Sequence, residues 1–264
     1  MRRIGVLRRP GLVLRLAVPL LLGGGWELAV RLSGVPHWIL PGPLAVGRAL
    51  VEGLPVLLPA LAVTLAVTLG ALVVAAAGGI LLALAIALSP LLEAALLPLA
   101  VTLQVIPLVA VAPVILLYVE RVETALVLCA ALVAFFPVLA GTLSGLERAG
   151  TAERRLFALY HASRWQELVH LRLPTALPHL LAGLRVGGTL ALVGAVVAEF
   201  AAGHAGSRAG LAFRILEAGW RLDIPRMYAA LVLLAASGLV LHALLRGIER
   251  AVLRRFHLAP REGS

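Results

Sequence analysis

The sequence predicts an all-α polytopic membrane protein with about six transmembrane helices. Three observations support that class. Of the 264 residues, 61% are apolar and the mean hydropathy is +1.03, far above a soluble domain. Several runs exceed the ~20 apolar residues that cross ~30 Å of hydrocarbon at ~1.5 Å per residue. A soluble protein of this length could bury one such helix in its core, but not five or six. Finally, one polar stretch, Thr151 to Pro178 (TAERRLFALYHASRWQELVHLRLPTALP), interrupts a chain otherwise built for lipid.

Hydropathy and punctuation place the spans in order. The first covers about Leu12 to Leu32. The second, Leu57 to Leu88, is long enough to tilt or to begin in the interface. Ser89-Pro90 breaks the chain, and a third span runs from about Leu92 to Tyr118. The charged turn Glu120-Arg121-Val122-Glu123 leads into a fourth, Thr124 to Leu146. In the polar stretch, Leu156, Leu159, Tyr160 and Ala162 fall at helical spacings among Arg154, Arg155, Arg164 and Glu167, predicting an amphipathic helix over 151–173. Pro174 and Pro178 are expected to close that helix and open the next. The fifth span runs from about Leu180 to Ala202 and the sixth from Met227 to Arg246. No repeat or low-complexity segment stands out beyond alanine and leucine enrichment, and no soluble domain is expected.

Six spans put both termini on one side, and arginine placement says which. Arg2, Arg3, Arg8 and Arg9 precede the first span. Arg148, Arg154, Arg155, Arg164 and Arg172 lie in the polar stretch, and Arg246, Arg250, Arg254, Arg255 and Arg261 follow the sixth. The positive-inside rule assigns these regions to the cytoplasm. The opposing loops, about 33–56 and 203–226, are less basic, although Arg208, Arg214, Arg221 and Arg226 reduce the contrast. The expected organisation is a cytoplasmic N-terminal tail (1–11), a transmembrane domain (12–250) holding the polar loop 148–179, and a cytoplasmic C-terminal tail (251–264). Trp26, Glu27 and Arg31 follow the first apolar run without a small-residue cleavage pattern, so it reads as a retained anchor. The net charge of +10 serves topology rather than nucleic acid, because the arginines edge apolar spans and form no aromatic-interleaved basic face.

A transporter needs an energy source. All 23 basic residues are arginine. A P-loop requires a lysine on the phosphates, so no Walker-type ATP site is expected in this chain. Ion-coupled carriers place ionisable groups near the midplane, whereas Glu27, Glu93 and Glu199 all lie near predicted span ends. Energy is therefore expected from another subunit, received by the polar helix at 151–173. Catalytic chemistry finds little support. Ser144 and His242 lie in different helices, and Ser144 lacks the Gly-x-Ser-Gly setting of an intramembrane protease. Cys129 sits in an apolar run as a buried hydrophobe. His161, His170, His179 and His242 show no metal-ligand spacing, so neither a metal nor a catalytic residue is expected.

At these residues a family resemblance emerges. Ala162-Ser163-Arg164-Trp165-Gln166, then Leu173-Pro174-Thr175-Ala176-Leu177-Pro178 and Ala182-Gly183-Leu184-Arg185, resembles the EAA loop of ABC importer permeases. The run Ala191 to Phe200 is similar to the fifth span of the nitrate/sulfonate/taurine group. Leu40-Pro41-Gly42-Pro43, Gln104-Val105-Ile106-Pro107 and Ala110-Val111-Ala112-Pro113 extend the likeness to roughly residues 40–250. It implies a type I ABC importer permease fold in a bacterial-type inner membrane. It also implies a homodimer carrying two cytoplasmic ABC ATPase subunits, with ATP on those partners and no cofactor on this chain, and an extracytoplasmic solute-binding protein. The loop's ATPase-coupling residues would be Glu153, Leu156, Leu159, Tyr160, His161, Ala162, Ser163, Arg164 and Trp165, with Pro174 and Pro178 orienting the fifth span. The sequence departs from the pattern where Arg155-Leu156-Phe157 replaces Glu-Ala-Ala and where His161 replaces a glycine.

The third span borders the pathway in this family. Gln104, Pro107, Pro113 and Glu199 are accordingly candidate lining residues, each with a plainer reading. Pro107 and Pro113 are kinks or lining. Gln104 reads as bonded to a neighbouring helix before it reads as a solute contact. Glu199 reads as an end-of-span residue near water before it reads as a solute ligand. Gly183-x-x-x-Gly187 allows close helix approach. The solute class that the resemblance suggests is a thiamine-precursor pyrimidine or a related heterocycle, with nitrate, sulfonate and taurine as alternatives. An ion-coupled carrier or channel is the alternative function.

Overall fold

The computed structural model describes residues 10–36, 39–203 and 209–256. The helices are α1 (Pro10–Ser33), α2 (Pro43–Leu88), α3 (Pro90–Val105), α4 (Leu108–Tyr118), α5 (Val122–Glu147), α6 (Thr151–Leu159), α7 (Arg164–Glu167), α8 (Leu173–Ala202), α9 (Leu211–Trp220) and α10 (Ile224–Arg255). A single π turn, Leu168–Arg172, joins α7 to α8. No strand occurs among the described residues. Among the described residues, four stretches are long and apolar enough to cross a membrane: α2, α5, Arg164–Ala202 and α10. The other two expected spans correspond to α1 and to the shorter apolar pair α3 and α4. The molecule is an all-α polytopic membrane protein.

Several boundaries differ from expectation. The third span is two helices, because Pro107 lacks an N–H and disfavours helical backbone at Ile106. The region 33–56 is largely helix: α2 opens at Pro43, and its 46 residues extend about 69 Å at about 1.5 Å each. The region 203–226 contains α9. The C-terminal helix continues to Arg255, past the expected start of a tail at 251. Arg2, Arg3, Arg8, Arg9, Arg208 and Arg261 lie outside the described residues, as do most of the two tails.

By internal contacts the chain divides into two units. One is drawn from Pro59–Phe213 and Leu234–Ser264. Its centre is the α5–α8 pair, whose backbones nearly touch. A Cβ on Gly183 would stand 2.7 Å from the Pro137 carbonyl oxygen, and one on Gly145 2.8 Å from the Ala176 Cα. On Gly194 it would stand 2.9 Å from the Ala130 Cα. Small residues at this spacing replace the hydrophobic driving force that lipid removes, because close approach maximises dispersion contact. Ala130, Ala134, Ala191, Ala195 and Ala198 fill the same buried seam. The Thr68 and Thr142 hydroxyls donate to carbonyls one turn back, at 2.8 and 2.7 Å, so neither hydroxyl is stranded in the apolar interior.

The other unit is drawn from Met1–Leu58 and Arg214–Leu233. Here the Glu27 carboxylate accepts Arg31 Nε at 2.8 Å and the Leu44 N–H at 3.2 Å, and so caps the start of α2. Gly42 leaves room for that carboxylate, because a Cβ there would collide with it. The rings of Trp26 and Tyr228 lie 6.2 Å apart. Asp223 Oδ1 accepts the Arg226 N–H and caps α10.

The α5–α8 contact gives a direct test. Gly183→Ala is expected to lower the unfolding free energy in detergent by about 1–3 kcal/mol through overpacking. Gly247→Ala meets no heavy atom within 4 Å and is expected to be neutral or stabilising. Thermal unfolding of the two variants measures the contrast.

Candidate functional site

The polar stretch folds as two helices joined by a tight turn, rather than the one helix expected over 151–173. Hydrogen bonds explain the break. The His161 N–H donates to the Ala158 carbonyl, and the Ala162 N–H reaches back to Phe157, both at 3.0 Å. This pair is a Schellman motif, which requires left-handed backbone at its turning residue. That residue is His161, at φ +52°. Glycine is the usual occupant because it carries no Cβ, so His161 holds the conformation against a steric cost. Two residues later Ser163 starts α7 with a reciprocal cap: its Oγ accepts the Gln166 N–H at 3.2 Å, and Gln166 Oε1 accepts the Ser163 N–H at 2.8 Å. Helix stop and helix start fall within four residues, fixing the angle between α6 and α7.

The segment presents apolar groups outward. Leu159, Tyr160 and Trp165 are 77%, 79% and 63% exposed, and Leu156 is also exposed. Leu156, Phe157, Tyr160, Ala162, Gln166 and His170 line a groove of about 470 Å³. Exposed apolar surface framed by charge marks an interaction site. Glu153 lies in the first turn of α6, where the helix dipole favours an acidic group. Arg154 Nε bonds Glu167 Oε1 at 2.8 Å and braces α6 against α7. Arg164 Nη1 donates to the Leu88 carbonyl at 3.3 Å.

Pro174 and Pro178 do not close one helix and open another. The chain stays helical from Arg164 to Ala202, with Pro174 in the first turn of α8 and Pro178 inside it. The π turn makes this possible. The Leu173 N–H bonds back to Leu168, five residues away, which resets the ladder just where Pro174 has no donor. The Thr175 hydroxyl then donates to the Leu171 carbonyl at 2.7 Å.

The candidate pathway residues fall in two places. Gln104, at the end of α3, is exposed, and Pro107 precedes the uncapped start of α4. With Ile106, Phe136, Pro137 and Leu190 they border a cavity of about 310 Å³. Pro113 lies inside α4. Glu199 lies elsewhere and, contrary to the expectation of an end-of-span residue near water, is only 4% exposed. Its carboxylate accepts the Thr64 hydroxyl at 2.7 Å and the Ala212 N–H at 2.9 Å, while Thr64 Oγ1 accepts the Leu211 N–H at 2.8 Å. Glu199 and Thr64 thus cap the first turn of α9 together. Gly210 makes room, since a Cβ there would meet the carboxylate.

Comparison with known proteins resolves the family. Residues 75–255 match the binding-protein-dependent transport system inner membrane component family. The chain belongs to that family. A probable ABC transporter permease of Haemophilus influenzae is 33% identical over 87% of this chain and 94% of its own length. A riboflavin transport system permease of Chloroflexus aurantiacus is 39% identical, covering 87% of this chain and 85% of the relative. A formylaminopyrimidine transport permease of Halalkalibacterium halodurans is 29% identical, covering 86% and 90%. The chain is therefore an ABC importer permease, a multi-pass membrane transport subunit.

Sequence reasoning missed Thr64, which reads as one threonine in an apolar run and whose partner, Glu199, reads as facing water. It also missed the bonds from Arg172 to the Leu146 and Ala87 carbonyls, treating that arginine only as part of the basic side. For the turn, His161→Gly is expected to leave the thermal midpoint unchanged or raised. His161→Val, β-branched at positive φ, is expected to cost about 1 kcal/mol; differential scanning fluorimetry of both variants reads the difference.

Proposed function

We propose that this chain forms the translocation path of an ATP-driven importer and receives the force for transport at the turn between α6 and α7. The observation that carries this reading is the braced turn with Leu159, Tyr160 and Trp165 facing outward at the foot of α8. A soluble ATPase seated there would move α8 directly, because the helix is continuous from Arg164 to Ala202. The absence of lysine from the sequence supports placing ATP hydrolysis on that separate subunit. In this reading Glu153, Leu156, Leu159, Tyr160, His161, Ala162, Ser163, Arg164 and Trp165 form the docking segment. A second copy of the chain completes the path, and a solute-binding protein delivers from the opposite side of an inner membrane. Both termini then lie in the cytoplasm with the docking turn.

For the solute, a flat nitrogen heterocycle of the riboflavin or pyrimidine class has the better support. The relatives named for riboflavin and formylaminopyrimidine cover most of this chain. The cavity at the α3–α4 break pairs the Gln104 amide with the Phe136 ring among aliphatic side chains, and no cationic side chain lines it. Such a lining suits stacking and hydrogen bonding to a ring better than holding nitrate or a sulfonate, which call for arginine. Gln104 and Pro107 are the proposed lining residues; Glu199 serves by holding α9.

Ala162→Asp combined with Trp165→Asp places two carboxylates in the docking surface. In the reconstituted complex these changes are expected to abolish ATP-driven uptake while the permease itself stays folded. Uptake at the parent's rate would refute the coupling role.

A further inference from the structure

Beneath the docking turn lies a second cavity of about 350 Å³, walled by Arg154, Arg164 and Arg172 and by Glu93, Glu147 and Glu167. Arg172 holds an unusual place in it. Its Nε donates to the Leu146 carbonyl at 3.1 Å and its Nη1 to the Ala87 carbonyl at 2.9 Å. Leu146 is in the last turn of α5 and Ala87 in the last turn of α2. The final carbonyls of a helix have no intrahelical donor, and a cation there also meets the negative end of the dipole. One guanidinium therefore satisfies orphan groups on two helices at once, which its planar fork of donors allows. Arg164 adds a bond to the last residue of α2.

The register of Arg172 depends on the π turn that ends on it. Each residue of an α-helix turns the side-chain direction by about 100°. The extra residue of a π turn therefore resets where Arg172 points relative to Trp165 and the docking face. Single π turns of this kind recur at functional positions. Here the turn lies between the segment that would meet a moving partner and the span that moves.

We propose that Arg172 is a positioning residue for coupling: it locks the ends of α2 and α5 to the base of α8, so that displacement of the α6–α7 turn moves three helices as one body. The inference rests on the coupling reading above and adds to it. Without the lock, a push on the docking turn moves α8 while α2 lags.

The test uses the full chain, in a Cys129→Ala background, purified from its host with its ATPase subunits. Nitroxide labels at Leu81→Cys on α2 and Val186→Cys on α8, both exposed, report the α2–α8 distance in ADP and in ATP–vanadate. With Arg172 present the distribution is expected to be the same in both states. In Arg172→Met it is expected to broaden and to shift between states by about 2 Å, the scale of a helix shift. Arg172→Lys, which keeps the charge without the fork, is expected to fall between. An unchanged distribution in Arg172→Met overturns the proposal. Loss of the complex in both variants also overturns it, by making Arg172 a folding residue only. Failure of the parent chain to bring down any ATPase refutes the coupling reading before an Arg172 variant is measured.

Discussion

The structure depends on the close backbone approach of α5 and α8. In lipid, apolar side chains gain nothing by leaving one apolar medium for another, so helices associate by packing and by satisfying polar groups. Gly141, Gly145, Gly183 and Gly194 let the two backbones meet at distances a Cβ would forbid. Buried alanines line much of the seam around them, so few long side chains stand between the helices. In the proposed coupling a stiff, continuous contact of this kind is what α8 needs, because a loosely packed span would absorb a displacement at one end rather than transmit it.

Each end of α8 then carries a polar device set by that packing. At one end the chain passes through the π turn into the Ser163 capping box and the left-handed His161, so the docking turn has one geometry rather than many. At the other end Glu199 is buried against Thr64 and holds the first N–H groups of α9. Glu27 performs the same service for α2. Two of the three acidic residues near predicted span ends are helix caps, consistent with the rule that backbone groups in an apolar setting must find partners within the protein.

Much of this was legible in the residues. Ser89-Pro90 ends α2, the charged turn around Arg121 precedes α5, and Ser163 and Gln166 in the Ala162-to-Gln166 motif cap the start of α7, because proline chemistry, charge and capping are local. His161 was legible as the place where glycine is usual, and the backbone there is left-handed for the reason glycine is preferred. Non-local features were not readable. The two prolines at 174 and 178 read as a helix boundary because proline lacks a donor, but a π turn upstream reset the hydrogen bonds. Glu199 read as solvent-facing because its partners, Thr64 and Ala212, lie on other elements and are not marked by any local pattern. Residues 211–220 read as loop because a ten-residue helix between spans is too short to stand out by length.

The central claim is that the α6–α7 turn is where a separate ATPase grips this permease. The most direct measurement places a photo-crosslinking amino acid at Tyr160 in the full complex, with Leu239, exposed on α10, as the comparison site. Illumination should join Tyr160 to the ATPase subunit and leave Leu239 without that product. Equal yields at the two sites, or no ATPase product from Tyr160, would contradict the account.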